Sequence, residues 1–228
     1  MTIRGKLYTA IVLTVLGPLA TTAVALHGMA QLGDRFDEVR ASSESEAIAR
    51  ELKFLVTDMN GWQTAYGYEG SGGFRGRFVR SSGELRNELG LAAETFSAGQ
   101  ESSLLDELEA EFESFMDLDE VAWRSLQAGD SDRTKRILLG PELARFEAMA
   151  ATADELAAYQ QERADATDEA FNDARDGARR RLIAVALGAG LVIVLLLVTA
   201  SDVARLALER EASVRDSRRR EGQDDVGS

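Results

Sequence analysis

Residues 182–200 read LIAVALGAGLVIVLLLVTA, carry no ionisable side chain, and lie between Arg179, Arg180 and Arg181 on one side and Asp202 on the other. At a helical rise of about 1.5 Å per residue, such a run covers the roughly 30 Å hydrocarbon core of a bilayer, so a transmembrane helix is expected here. The rest of the chain is too polar to wrap a helix this uniformly apolar. A second uncharged run, 7–26, follows Arg4 and Lys6 and is the expected partner span. Two spans so far apart place everything between them on one side of the membrane and both termini on the other. The expected plan is a cytoplasmic amino terminus (1–6), a first span (7–26), an extracytoplasmic domain (27–181), a second span (182–200) and a short charged cytoplasmic tail (201–228). That tail is expected to continue as one to three turns of helix. The chain would then be a multi-pass protein of the cell (inner) membrane, with the lipid bilayer as its first partner.

Composition narrows the classes further. A formal charge of −13, concentrated between the spans, argues against a nucleic-acid partner. Cysteine is absent, so neither a disulfide nor a thiolate metal site is available, and an extracytoplasmic domain must rely on its hydrophobic core. Arg4 and Lys6 at one end and the arginines from Arg205 to Arg220 at the other favour cytoplasmic termini. Arg179 to Arg181 pull the other way, but a long domain translocates largely regardless of its charge. The alternative for the first run is a signal peptide cleaved near Ala23-Val24-Ala25, which leaves one anchor and the same outside domain.

Between the spans the apolar residues recur at helical spacing. Leu32, Phe36 and Val39 give way at Ser43, and the pattern resumes at Ile48, Leu52, Leu55, Met59, Trp62 and Tyr66, a heptad-like seam on one long helix. Gly70, Gly72 and Gly73 break it. A second helix from about Phe74 carries Phe78, Leu85, Leu89, Ala92 and Phe96, ending in a turn at 97–99. A third opens at Gln100 with the seam Leu105, Leu108, Phe112, Phe115, Asp119, Ala122 and Leu126. After Ala128-Gly129, Asp130 or Ser131 is placed to cap a fourth helix through Phe146, Met149, Ala153, Leu156 and Phe171 into the second span. Pro141 either kinks that helix or starts a new one. The expected fold is all-α, an up-down-up-down four-helix bundle between two transmembrane helices. The first and fourth helices outrun the inner two, so near the membrane only two helices remain to cover Leu32, Phe36 and Val39. A second copy is the economical cover, and a homodimer is expected, with Ala184/Gly188 and Ala186/Gly190 permitting close approach of spans.

Enzyme signatures are missing, and neither a cofactor nor a metal is expected. The single histidine, His27, stands alone at a membrane boundary, and the acids from Asp106 to Glu113 fit a solvated helix face. In an up-down-up-down bundle the first and third turns share the end away from the membrane. This gathers Trp62, Tyr66, Arg75, Arg77 and Arg80 with Trp123, Arg124 and Arg133, a basic and aromatic set in an acidic domain. Guanidinium groups recognise carboxylates or phosphates, and aromatic walls shield such pairs from water. These eight residues are the candidate ligand-binding set, for a small anion. The bland alternative is that the aromatics fill the core and the arginines offset the acidic third helix. Removing Arg75 and Arg77 together is expected to abolish anion binding with little effect on melting.

The stretch Trp123-Arg124-Ser125-Leu126-Gln127-Ala128-Gly129-Asp130, followed by Ile137-Leu138-Leu139-Gly140-Pro141-Glu142 and Phe146, resembles the four-helix-bundle sensor domain of methyl-accepting chemotaxis proteins, as does Asp58-Met59-Asn60-Gly61-Trp62-Gln63-Thr64-Ala65-Tyr66. The resemblance covers most of residues 1–200. It implies a bacterial chemotaxis or related signal-transduction receptor, a dimer that binds a small molecule outside the cell and displaces its second span. The relay and signalling domains of that family are not found in the 28 residues after the second span, so output is expected through a partner such as another receptor or transmitter protein. The alternative function is a structural or accessory membrane subunit that associates with other receptors and senses nothing.

Overall fold

The chain holds two prolines, Pro18 and Pro141, and only the second interrupts a helix. The structure, a computed structural model, describes residues 3–70, 72–96 and 99–224, with side chains for 12, 14–70, 72–96, 99–201, 204 and 205. Among these residues every regular element is helical. Helix α1 spans Ile3–Glu69, α2 Gly72–Thr95, α3 Gln100–Gln127 and α4 Ser131–Ile137; a π-helical turn, Leu138–Glu142, leads into α5, Leu143–Asp224.

The helix ends follow local chemistry. Gly70 adopts φ 66°, a left-handed conformation that only glycine takes without strain, and its N–H donates to the Tyr66 carbonyl at 2.7 Å, closing α1. Gly129, at φ 77°, does the same after α3, and the Asp130 side chain then accepts from the Arg133 N–H at 3.0 Å to cap α4. As expected, α1 runs as one long helix through the apolar gap at Ser43, where Ser42 and Ser45 take buried positions. The turn expected at 97–99 falls partly on Ser97 and Ala98, outside the described residues. Pro141 is resolved as a kink: Gly140 takes φ −119° and ψ −105°, and the backbone bulges by one residue where proline lacks an N–H. Beyond residue 200, α5 runs to Asp224, past the one to three turns expected, since nothing in that run breaks a helix; residues 1, 2 and 225–228 lie outside the described residues.

The chain divides into two units, residues 1–33 with 172–228, and 34–171. In the first, α1 and α5 pack closely where a Cβ on Gly28 would lie 3.9 Å from Ala178 Cβ. Two helices are long and apolar enough to cross a membrane, and Leu16, Leu19, Leu187, Leu191 and Leu197 are all exposed on them. In the second unit, four helices contribute to one core: Leu52, Val56 and Met59 from α1, Phe78, Leu85 and Leu89 from α2, Leu108, Phe112 and Phe115 from α3, and Met149, Ala153 and Leu156 from α5. Exposed ion pairs tie the same helices at the surface: Lys53–Asp154 at 2.8 Å, Arg86–Glu113 at 2.8 Å and Arg145–Glu111 at 3.0 Å. Each contributes at most about 1 kcal/mol, so the buried apolar seam carries the stability.

Phe112→Ala should therefore destabilise the protein by about 3–5 kcal/mol, whereas Leu139→Ala, at a side chain 61% exposed, should change it by less than about 0.5 kcal/mol. Denaturant unfolding of the full chain in detergent, followed by circular dichroism, reads both.

Candidate functional site

One end of the core is polar. Tyr66 on α1 donates its hydroxyl to Asp119 Oδ1, and Arg75 on α2 binds Asp119 Oδ2 with the same nitrogen that lies 3.2 Å from the Tyr66 hydroxyl. Asp119, at 0% exposure, sits on the inward seam of α3, and Arg75 is partly buried beside it. Three rings enclose the guanidinium: its carbon lies 5.0 Å from the centroid of Tyr66, 4.7 Å from Phe78 and 5.1 Å from Trp123. The aromatics hold one another edge-on, Tyr66 against Phe78 at 5.6 Å and against Trp123 at 5.5 Å. The pair is thus both ion-paired and cation–π stacked, with water largely excluded.

A second buried contact lies beside the first. Gln63 Nε2 donates to Glu142 Oε1 at 2.7 Å, joining α1 to the π turn, while Glu142 Oε2 has no hydrogen-bond partner. Glu142 is 0% exposed. Burial and the nearby Asp119 carboxylate push its pKa up to about 8, against the opposing pull of Gln63 and Arg75. Burial raises Asp119 above the ordinary range too, outweighing Tyr66 and Arg75, and burial with the adjacent Asp119 drives Tyr66 up, so that its hydroxyl stays a donor. A groove of about 380 Å³ opens next to this contact, lined by Asn60, Gln63, Thr64, Lys135, Leu138 and Leu143 among others. Gly67 makes room for Leu138 there, since a Cβ would overlap the leucine methyl.

The eight residues singled out from sequence divide in the structure. Tyr66, buried, and Arg75 and Trp123, partly buried, form the cluster around Asp119, with Arg75 consumed by that carboxylate. Trp62 and Arg77 form a separate pair at the surface: the Arg77 guanidinium lies 4.6 Å from the Trp62 ring, which stacks on Phe74 and donates to Asp58 at 3.0 Å. Asp58 also accepts from Ser81 at 2.8 Å. Arg124 pairs with Glu120 at 3.2 Å, and Arg80 and Arg133 are exposed. Replacing Arg75 is therefore not neutral for folding, contrary to the sequence expectation, because it strands a buried carboxylate. Sequence reasoning placed Asp119 on the seam but missed its role; an acid at a core position was the available signal. Glu142 and Gln63 gave no comparable signal.

The chain matches no protein-family model, no characterised protein and no solved structure.

Asp119→Ala should cost about 3–5 kcal/mol, and the double replacement Arg75→Leu/Asp119→Leu less than the sum of its singles, in a double-mutant cycle read by urea unfolding. The Glu142 carboxyl binds its proton more tightly folded than at its ordinary value of 4.5. Between pH 4.5 and about 8 the folded state holds a proton that the unfolded chain has released, so stability falls as pH rises through that window and levels off above it. Glu142→Gln should flatten this profile, raising the melting temperature at pH 8.5 relative to the parent; an unchanged slope contradicts the assignment.

Proposed function

We propose that this chain is a membrane-anchored sensory protein of the chemoreceptor sensor type. Helices α1 and α5 cross the bilayer, the termini are cytoplasmic, and residues 34–171 form an up-down-up-down four-helix bundle outside it. The observation that carries the reading is helical continuity: α1 and α5 each combine an exposed apolar stretch with a stretch that contributes to the buried core. Leucines such as Leu187 and Leu191 leave water only if lipid or another apolar surface covers them, and a bilayer does so along both helices.

The bundle arrangement rests on pairings that run in opposite senses. Asp58 with Ser81 and Trp62 with Phe74 relate α1 to α2; Asp119 with Arg75 and Glu113 with Arg86 relate α2 to α3; Glu111 with Arg145 and Glu101 with Gln160 relate α3 to α5. In each the residue number rises on one helix as it falls on the next. Phe36, 59% exposed, supports a second copy of the chain as partner. For a small anionic ligand the accessible cation is Arg77 over Trp62, with Arg80, Arg124 and Arg133 as further surface charges and Arg75 as the internal support. Ligand contact there would bias α1 and α2, and the displacement would reach a cytoplasmic partner through α5.

A thermal-shift screen of the full chain in nanodiscs with small carboxylates and phosphates tests this. A saturable rise in melting temperature with at least one of them, lost in Arg77→Ala/Arg80→Ala with the unliganded melting point unchanged, is the expected result. No shift across the panel, with co-purification of a membrane receptor, points instead to the accessory subunit.

A further inference from the structure

The carboxyl of Glu142 occupies the least regular point of the helical unit. It closes a π turn whose Gly140 lies outside helical φ/ψ and whose Pro141 donates no hydrogen bond, so the local backbone is held by fewer bonds than the helices around it. One carboxyl oxygen is bound to Gln63 and the other is bonded to nothing. A neutral carboxyl tolerates that environment at modest cost; a carboxylate does not.

Around this carboxyl stand groups from α1, α2, α3 and α4. From α1 come Tyr66, which stays a neutral donor committed to Asp119, and the uncharged amide of Gln63. From α2 comes Arg75, already bound to Asp119, and from α3 comes Asp119 itself, an acid whose charge repels a second one. Thr134, the buried residue of α4, bonds the Ala122 and Asp130 carbonyls. Among the described residues no cation is left over in the interior for an ionised Glu142. The adjoining groove, by contrast, holds Lys135 and reaches Gln63.

We propose that Glu142 is a proton-operated latch: protonated, it docks the π turn into the core against Gln63, and on losing its proton it moves with that turn toward the groove and Lys135. The bond to Gln63 breaks, the carboxylate gains water and a lysine, and the start of α5 is released from the core. The latch belongs to the helical unit alone and does not depend on the sensory reading. It makes the conformation at the head of α5 sensitive to the pH of whichever compartment the helical unit faces.

Amide hydrogen exchange of the full chain in nanodiscs, from pH 6 to 9.5, tests it. Exchange at residues 138–146 is divided by that at 104–115 on α3, which cancels the intrinsic pH dependence. The ratio should rise about tenfold, with its midpoint below pH 8, and level off above about pH 8. Glu142→Gln, which mimics the protonated form, should hold the ratio at its low-pH value. Lys135→Gln, a surface change that keeps the fold, should move the midpoint upward by removing the cation that receives the carboxylate. A ratio that stays flat, a transition that survives in Glu142→Gln, or a midpoint unmoved in Lys135→Gln overturns the latch; where Glu142→Gln does not fold, the Lys135→Gln midpoint decides.

Discussion

A carboxylate buried in an apolar core must meet a cation and a donor, and that requirement sets the register of three helices at once. Asp119 on α3, Arg75 on α2 and Tyr66 on α1 satisfy one another, walled by Phe78 and Trp123. Sliding α3 by one turn would leave both charges unpaired in low dielectric, a penalty larger than any single apolar contact could offset. The apolar seams alone are more permissive, because leucine, phenylalanine and alanine recur on each helix and several registers would bury similar areas. The same logic applies more weakly at the other end of the core, where Glu101 accepts from Gln160 at 2.9 Å and Arg163 at 2.5 Å.

The π turn is the counterpart of this rigidity. A one-residue bulge at Leu138–Glu142 lets α4 and α5 together occupy the fourth place in the core, and it aims Glu142 inward at Gln63. Local irregularity and a buried ionisable group therefore coincide, a combination common where a structure stores a conformational choice.

Much of this was legible in the sequence. The 3.5-residue spacing of Leu52, Leu55 and Met59, or of Leu108, Phe112 and Phe115, marks the core-facing seams, and the glycines at 70 and 129 with Asp130 mark the turns. The two uncharged runs announce helices that need an apolar environment. The site was only half legible. Arg75, Arg77 and Arg80 look alike as letters, and their fates differ because helical phase turns Arg75 inward between three rings and leaves the others at the surface. Glu142 follows a Gly-Pro pair, which reads as a break; only a bulge in three dimensions turns that residue into the core. Charge beyond Ala200 does not mark the end of α5, because arginine and glutamate are good helix formers.

The functional account depends on α1 and α5 crossing the bilayer with the helical unit outside. The chain has no cysteine, so single cysteines can be introduced without background. With Glu107→Cys on α3 and Ser213→Cys on the tail, each tested alone, a membrane-impermeant maleimide is applied to intact cells and to cells opened by detergent. The account predicts labelling of position 107 in intact cells and of position 213 only after opening; the reverse pattern, or equal labelling of both in intact cells, contradicts it.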